Sequence, residues 1–331
     1  MDNRLCRAGA QGGPLETAAR PASWKIFLAF AIIYFVWGST FLAIRVGVHQ
    51  VPPFLLAAMR FTVAGMVLFA WMRLAGTPSP TAREWLAASG MGTLIFLIDY
   101  GCVFWAEQRV PSGITAVMLA TIPLFIALLE ILLLRTQRLT LRLALALLAG
   151  IFGVAVLMSR SFSLGEAPID RAGAAALVLA AFTWSIGTIL NRRLPLPASK
   201  PMSAAAQMFS GGLQLFVLAA LTGEFSGFQP GAVSWNAWFS LLYLIVAGSI
   251  IGFTAYIWLL HYESPTKVGT YAYVNPVVAV VVGYFLGGES IGTRTLLGTF
   301  FVLVSVVTIT TMPARSKGKQ VTPELVTAET K

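Results

Sequence analysis

Two charged residues interrupt long apolar runs, Arg60 and Asp99. A charge inside a bilayer is costly and faces a partner or a watery cavity. Arg60 lies six residues inside the outer end of its expected span, and Asp99 lies six residues before Trp105, near the outer end of the next. At about 1.5 Å rise per residue both sit roughly 9 Å below the outer boundary. The matched depth predicts that they meet. Three readings stay open: an ion pair between neighbouring helices, a site for substrate or proton, or an Arg60 side chain that snorkels outward. Glu130 lies about one turn before Arg135, where an interfacial pair is expected. Glu107 and Arg109 flank the outer face and are expected to be solvated.

Prolines and aromatics supply a second kind of chemistry. Pro123 and Asn275-Pro276 fall within apolar runs. Proline removes an amide donor and frees a carbonyl one turn back. In a bilayer that carbonyl must find protein, water or ligand. Asn275 is suited either to a substrate amino or carboxylate group or to capping a structural kink. Trp37, Trp105, Trp184, Trp258, Tyr271 and Tyr273 are candidate substrate walls, since aromatic faces take apolar or cationic groups. The alternative is packing or an interfacial belt, the reading preferred for Trp24, Trp71, Trp85, Trp235 and Trp238. Gln207, Ser210 and Gln214 share one helical face, which addresses either a cavity or a neighbouring helix. Gly248-x-x-x-Gly252 and Gly283-x-x-x-Gly287 read as close-packing motifs.

Other chemistries are disfavoured. Gly288-Glu289-Ser290-Ile291-Gly292 fits the pattern of a hydrolase nucleophile elbow, but it falls between two apolar runs, and the two histidines, His49 and His261, offer it no base. Neither a zinc-protease helix motif nor a phosphate-binding loop is present, so no cofactor is expected. The two cysteines, Cys6 and Cys102, make no disulfide framework. The chain is 57% hydrophobic and 11% charged, too apolar for a water-soluble domain. Its net charge of +10 therefore reads as membrane topology and not as nucleic-acid binding. The implied partners are membrane lipid and a small-molecule substrate. Nothing in the sequence sets an oligomeric state.

The elements that must position these residues are apolar runs near 24–44, 54–74, 86–106, 112–134, 141–159, 172–190, 203–222, 238–260, 268–288 and 294–312. Each approaches the ~20 residues that a membrane helix needs. Pro52-Pro53, Thr77-Pro78-Ser79-Pro80, Pro111-Ser112-Gly113 and Pro195-Leu196-Pro197 mark turns between them. The chain also repeats itself. Trp37-Gly38-Ser39-Thr40 with Arg45 returns 147 positions later as Trp184-Ser185-Ile186-Gly187 with Arg192. Pro111 and Pro123 are echoed by Pro265 and Pro276, and the segment from Arg135 to Thr140 by that from Gly287 to Gly292. Five spans per copy force the second copy upside down, an architecture of secondary transporters with the substrate between the repeats.

The predicted fold is thus an all-α polytopic membrane protein, with ten transmembrane helices in two inverted five-helix repeats. The expected division is a tail over 1–23, repeats over 24–160 and 172–312, and a tail over 313–331. With the N-terminus inside, the outer segments carry only Arg45, Arg109, Arg160, Arg171 and Arg294, and most of the remaining Lys and Arg fall inside. That bias puts both termini in the cytoplasm.

With these motifs in place, the chain resembles the EamA-type transporters of the drug/metabolite transporter superfamily over about 24–312. The resemblance rests on Trp37-Gly38-Ser39-Thr40-Phe41, Pro52-Pro53 leading to Arg60-Phe61, and Pro111 to Pro123. In the second half it rests on Trp184, Ser264-Pro265-Thr266-Lys267, Tyr273-Val274-Asn275-Pro276-Val277 and Gly288-Glu289. The acidic residue usual after the fourth span is Gln137 here, while Glu289 keeps it in the second half. The resemblance implies a carrier of the cytoplasmic membrane, with export of amino acids or other small metabolites the common activity. An importer, a channel or an intramembrane enzyme are the alternatives. The enzyme lacks a deep acidic partner for Asp99.

Overall fold

The computed structural model describes residues 21–132, 139–158, 170–191, 193–263, 268, 271–289 and 291–310. These residues form ten helical spans and no strand. They are α1 (Ser23–Val48), α2 (Pro53–Leu74), α3 (Ala82–Glu107), α4 (Ser112–Leu119 and Ile122–Leu132) and α5 (Leu141–Met158). The second set is α6 (Arg171–Leu190), α7 (Lys200–Leu221), α8 (Trp235–Tyr243, Leu244–Ile251 and Gly252–Tyr262), α9 (Tyr271–Gly287) and α10 (Thr293–Thr310). Seven of the ten are long and apolar enough to cross a bilayer; α5, α9 and α10 contain shorter apolar runs. Many large apolar side chains point outward, among them Leu74, Leu148, Leu221, Phe285 and Phe300. In a bilayer those positions face lipid. Trp24, Trp71 and Trp235 are also exposed at span ends, as the belt reading expects.

Helix starts follow local chemistry. Thr81 and Glu84 form a reciprocal capping box that begins α3 earlier than its apolar run does. Asp170 caps α6, Ser199 caps α7 and Ser234 caps α8. Pro53 occupies the first turn of α2, where no donor is missed. The Phe54 and Leu55 amides of that turn donate instead to Glu224, from the α7–α8 connector, at 3.4 and 2.8 Å. Burial pushes the Glu224 carboxyl above the usual carboxylate range, and the two amide bonds oppose the shift. Left-handed Gly76 (φ +84) and Gly223 (φ +75) end α2 and α7, and they are themselves 147 positions apart.

The two halves meet through a reciprocal contact. A Cβ on Gly65 of α2 would lie 2.5 Å from the Phe209 nitrogen of α7, and one on Gly212 of α7 would lie 2.5 Å from the Thr62 nitrogen of α2. Residues 62 and 65 are 147 positions before 209 and 212, so each contact is the mate of the other. Such self-complementary pairing is the mark of a two-fold axis. The pairs run in opposite chain directions, which makes the second repeat inverted. The contact repeats between α5 and α10. A Cβ on Gly150 would lie 2.7 Å from Ser305 Oγ, and one on Gly153 would lie 2.8 Å from the Val302 nitrogen.

Three spans are wound loosely. π-helical stretches occupy Ile32–Val36 in α1, Gly92–Tyr100 in α3 and Leu244–Ile251 in α8. Such stretches concentrate at functional sites, because the extra residue redirects side chains and loosens the carbonyl ladder.

Gly65→Ala and Gly212→Ala should each lower thermal stability in detergent by the about 1–3 kcal/mol typical of overpacking. Gly90→Ala, where nothing lies within 4 Å, should leave it unchanged. Equal stability for all three would reject the close approach of α2 and α7.

Candidate functional site

A small cavity lies between the halves. Its first wall comes from Trp37, Thr40, Phe41 and Ile44 of α1, and its second from Asp99, Tyr100 and Val103 of α3. α4 supplies Ala116, Leu119, Ala120 and Ile122; α6 supplies Trp184; α9 supplies Tyr271, Ala272, Asn275 and Pro276. The volume is about 70 Å³, room for several waters and less than a whole metabolite requires. The site is therefore narrow in this conformation.

Both tryptophans are seated by the inverted symmetry. Trp37 packs on Phe253 (5.6 Å) and Trp184 on Tyr100 (6.0 Å), ring centre to ring centre. Trp37 also meets Tyr256 and Tyr271 at 5.2 and 5.3 Å. Its indole Nε1 donates to the Gly248 carbonyl at 3.0 Å. Gly252 admits this ring, since a Cβ there would collide with Trp37 Nε1, while Gly248 leaves room for Thr40 and Arg60. The close-packing motif of α8 thus forms the seat of Trp37.

The proline breaks meet the cavity from opposite halves. α4 is interrupted at Ala120-Thr121, just before Pro123. Leu124 and Phe125 both donate to the Thr121 carbonyl, and Pro123 cannot donate to Leu119. The Leu119 and Ala120 carbonyls thereby lose their helical donors at the cavity wall. The Ile122 carbonyl accepts from Ser185 Oγ at 3.1 Å. Its counterpart, the Asn275 carbonyl, lies where a Cβ on Gly38 would approach to 3.2 Å. The Asn275 side chain, with Nδ2 turned toward α1, donates to the Tyr34 and Ile33 carbonyls at 3.0 and 3.2 Å. Those carbonyls belong to the loosened stretch of α1. Asn275 therefore ties α9 to α1 and shows the cavity its remaining edge.

Arg60 and Asp99 do not form the expected ion pair. Both are buried, at 1% and 3% exposure. The Arg60 Nε donates to Ser249 Oγ at 2.9 Å, and the guanidinium lies over the rings of Phe61, Tyr100 and Phe104 at 4.7, 5.2 and 5.9 Å. Its Nη1 has no hydrogen-bond partner. Asp99 lines the cavity, while Arg60 does not. Asp99 sits in the π-helical stretch of α3 and faces the cavity, whereas Arg60 is taken up by Ser249 and the aromatic rings. Glu107 also departs from expectation. It is wholly buried, with neither carboxylate oxygen hydrogen-bonded. Arg45 closes over it, donating to the Glu107 and Val110 carbonyls at 3.4 and 2.8 Å. Arg109 is exposed as expected and stacks on Trp105 at 4.0 Å.

The other candidates lie elsewhere. Trp105 borders a separate apolar recess with Phe54, Leu97 and Cys102. Trp258 stacks on Tyr262 at 4.8 Å, away from the cavity. Gln207 bonds Ser203 of its own helix at 2.9 Å, while Ser210 bonds the Ala88 carbonyl and Gln214 bonds Ser89 and Thr93, so the α7 stripe ties α7 to α3 through Ser210 and Gln214. The Tyr273 and Glu130 side chains, with Arg135, Gln137 and Pro265, fall outside the described residues. Thr40 and Tyr100 line the cavity without having been singled out; each lies within a turn of a residue that was.

A latch closes the end that the charge bias assigns to the outside. Glu289, after α9, accepts from the Ser112 amide (2.8 Å), Ser112 Oγ (2.7 Å) and the Gly113 amide (3.1 Å) at the start of α4. Arg45 Nε lies 3.4 Å from the same carboxylate. One acid thus caps a helix of the opposite half. Glu289→Ala should destabilise the chain by about 1–3 kcal/mol, the cost of leaving such donors unmet, and Glu289→Gln by less. Thermal unfolding in detergent checks this; an unchanged midpoint for Glu289→Ala would reject the latch.

The comparisons with known proteins agree with this geometry. The model of the EamA-like transporter family matches residues 23–159 and again 171–311. The uncharacterized inner membrane transporter YedA of Escherichia coli (strain K12) is 34% identical over 287 residues, covering 86% of this chain and 90% of that one. Protein PecM of Dickeya dadantii is 27% identical over 290 residues, covering 87% and 93%. A protein of Salmonella typhimurium described as a probable amino-acid metabolite efflux pump is 26% identical over 286 residues, covering 85% and 92%. A solved crystal structure at 21% identity superposes with a TM-score of 0.59, over 87% of this chain and 96% of that one, a likeness of fold. The chain belongs to the EamA-like transporter family, and it is a multi-pass membrane transporter.

Proposed function

We propose that the chain is a secondary carrier of the cytoplasmic membrane that exports an amino-acid-like or other small organic metabolite by alternating access, with both termini in the cytoplasm. The observation that carries this reading is the small cavity between inverted halves, walled by the repeat-related Trp37 and Trp184 and by the proline-bearing helices α4 and α9. Broken helices at repeat-related positions suit a site exposed to each side in turn, whereas a channel would favour a continuous lined pore. The export direction draws support from the relative described as an efflux pump. The charge bias supports the orientation. Trp37, Trp184 and Asn275 form the core of the proposed substrate site, with Arg60 as a buried positioning charge behind Tyr100.

Overexpression should increase release of one or more small metabolites into the medium relative to a deletion strain. Trp37→Ala should reduce that release severalfold, and Asn275→Ala should reduce it too, with membrane levels of both proteins unchanged. Reporter fusions after Lys331 should report cytoplasm. Normal release by both variants would remove the proposed site, and a C-terminus on the outer side would remove the orientation.

A further inference from the structure

We infer that the substrate presents a protonated amine, which docks against Asp99 within the aromatic wall of the central cavity. The inference rests on the carrier reading above and narrows its substrate class to small organic amines.

The cavity wall carries one formal charge, and it is negative. Asp99 is 3% exposed, lines the cavity, and makes no hydrogen bond or ion pair among the described residues. A carboxylate so placed lacks the partner that burial demands. Nearby donors are already committed. Trp37 Nε1 goes to Gly248, Thr40 Oγ1 goes to the Trp37 carbonyl at 2.6 Å, and Asn275 Nδ2 goes to Ile33 and Tyr34. The Trp184 indole is committed to the Tyr271 oxygen, and the donors left on the wall, the Tyr100 and Tyr271 hydroxyls, are neutral. Acceptors are in surplus: the Asp99 oxygens, and the Leu119 and Ala120 carbonyls released by the break before Pro123. An ammonium is donor-only, offering three N–H groups and a charge. It fits this set, and the faces of Trp37, Trp184, Tyr100 and Tyr271 favour a cation beside them.

The buried cation of α2 does not meet Asp99. Arg60 is held by Ser249 and three aromatic rings and does not line the cavity. Its guanidinium packs against Tyr100 and is absent from the cavity wall, so it does not touch the ligand. A free carboxylate on the substrate has no cation to meet on this wall. The site therefore discriminates against acids, and against amino acids relative to amines of the same skeleton.

The test is equilibrium binding to the purified full-length protein in detergent, read by tryptophan fluorescence and by calorimetry. Four probes share one skeleton: 2-phenylethylamine, phenylalanine, 3-phenylpropionate and 2-phenylethanol. The amine should bind at least tenfold tighter than each of the others. Asp99→Asn should bring the amine to the level of the alcohol while leaving the alcohol unchanged. Amine binding no tighter than alcohol binding would overturn the inference, as would tighter binding of phenylalanine or the acid, or an amine advantage that survives in Asp99→Asn. The wild-type series decides the matter even if Asp99→Asn fails to fold. If the amine shows no advantage while overexpressing cells still release another metabolite, this inference falls and the carrier reading stands.

Discussion

The structure depends on one close approach, the reciprocal contact of α2 and α7 at Gly65 and Gly212. Without side chains at these positions, each helix rests on the other's backbone. Water supplies no hydrophobic drive between helices inside a bilayer, so association depends on dispersion at short range, and small residues make it possible. Because the two contacts are mates, they fix the position and the opposite sense of the two repeats at once. Gly150 and Gly153 give α5 a similarly close approach to α10, with both glycines on the one helix. What remains between these anchored pairs is the space where α1, α3, α4, α6 and α9 surround the cavity.

Those surrounding helices are the irregular ones. α1 and α3 carry π-helical stretches, and α4 is broken beside a proline, as α9 carries Pro276 within its length. Irregular backbone at membrane depth is tolerated only where protein or a polar cavity satisfies it. Here Ser185 and Asn275 satisfy part of it, each reaching from one half to the other. The anchored glycine pairs and the loosened helices divide the labour: rigid contacts set the frame, and irregular segments line the site. Glu289 then joins the halves at one end with a single carboxylate.

Much of this was legible in the residues. The offset of 147 between Trp37 and Trp184 announces the repeat, and the same offset links Gly65 to Gly212 and Gly76 to Gly223. Composition and charge give the membrane and the span count. The site was legible in part. Trp37, Trp184, Asp99 and Asn275 reach the cavity, while Trp105, Trp258 and Gln207 do not. Depth along a span follows from counting residues, but direction around it does not. Asp99 faces the cavity while Arg60 is held by Ser249 on another helix, and counting residues cannot foresee that partner. Glu107 shows the same limit for long-range cover, since Arg45 reaches it from another helix.

Alternating access requires the cavity to open to each side in turn, and the accessibility of a wall residue reports that opening. Ala116 lines the cavity and is 2% exposed. In a chain with Cys6 and Cys102 replaced by serine, Ala116→Cys should react with a membrane-impermeant thiol reagent in right-side-out vesicles and also in inverted ones. Labelling confined to one side, or absent from both, would rule out alternating access.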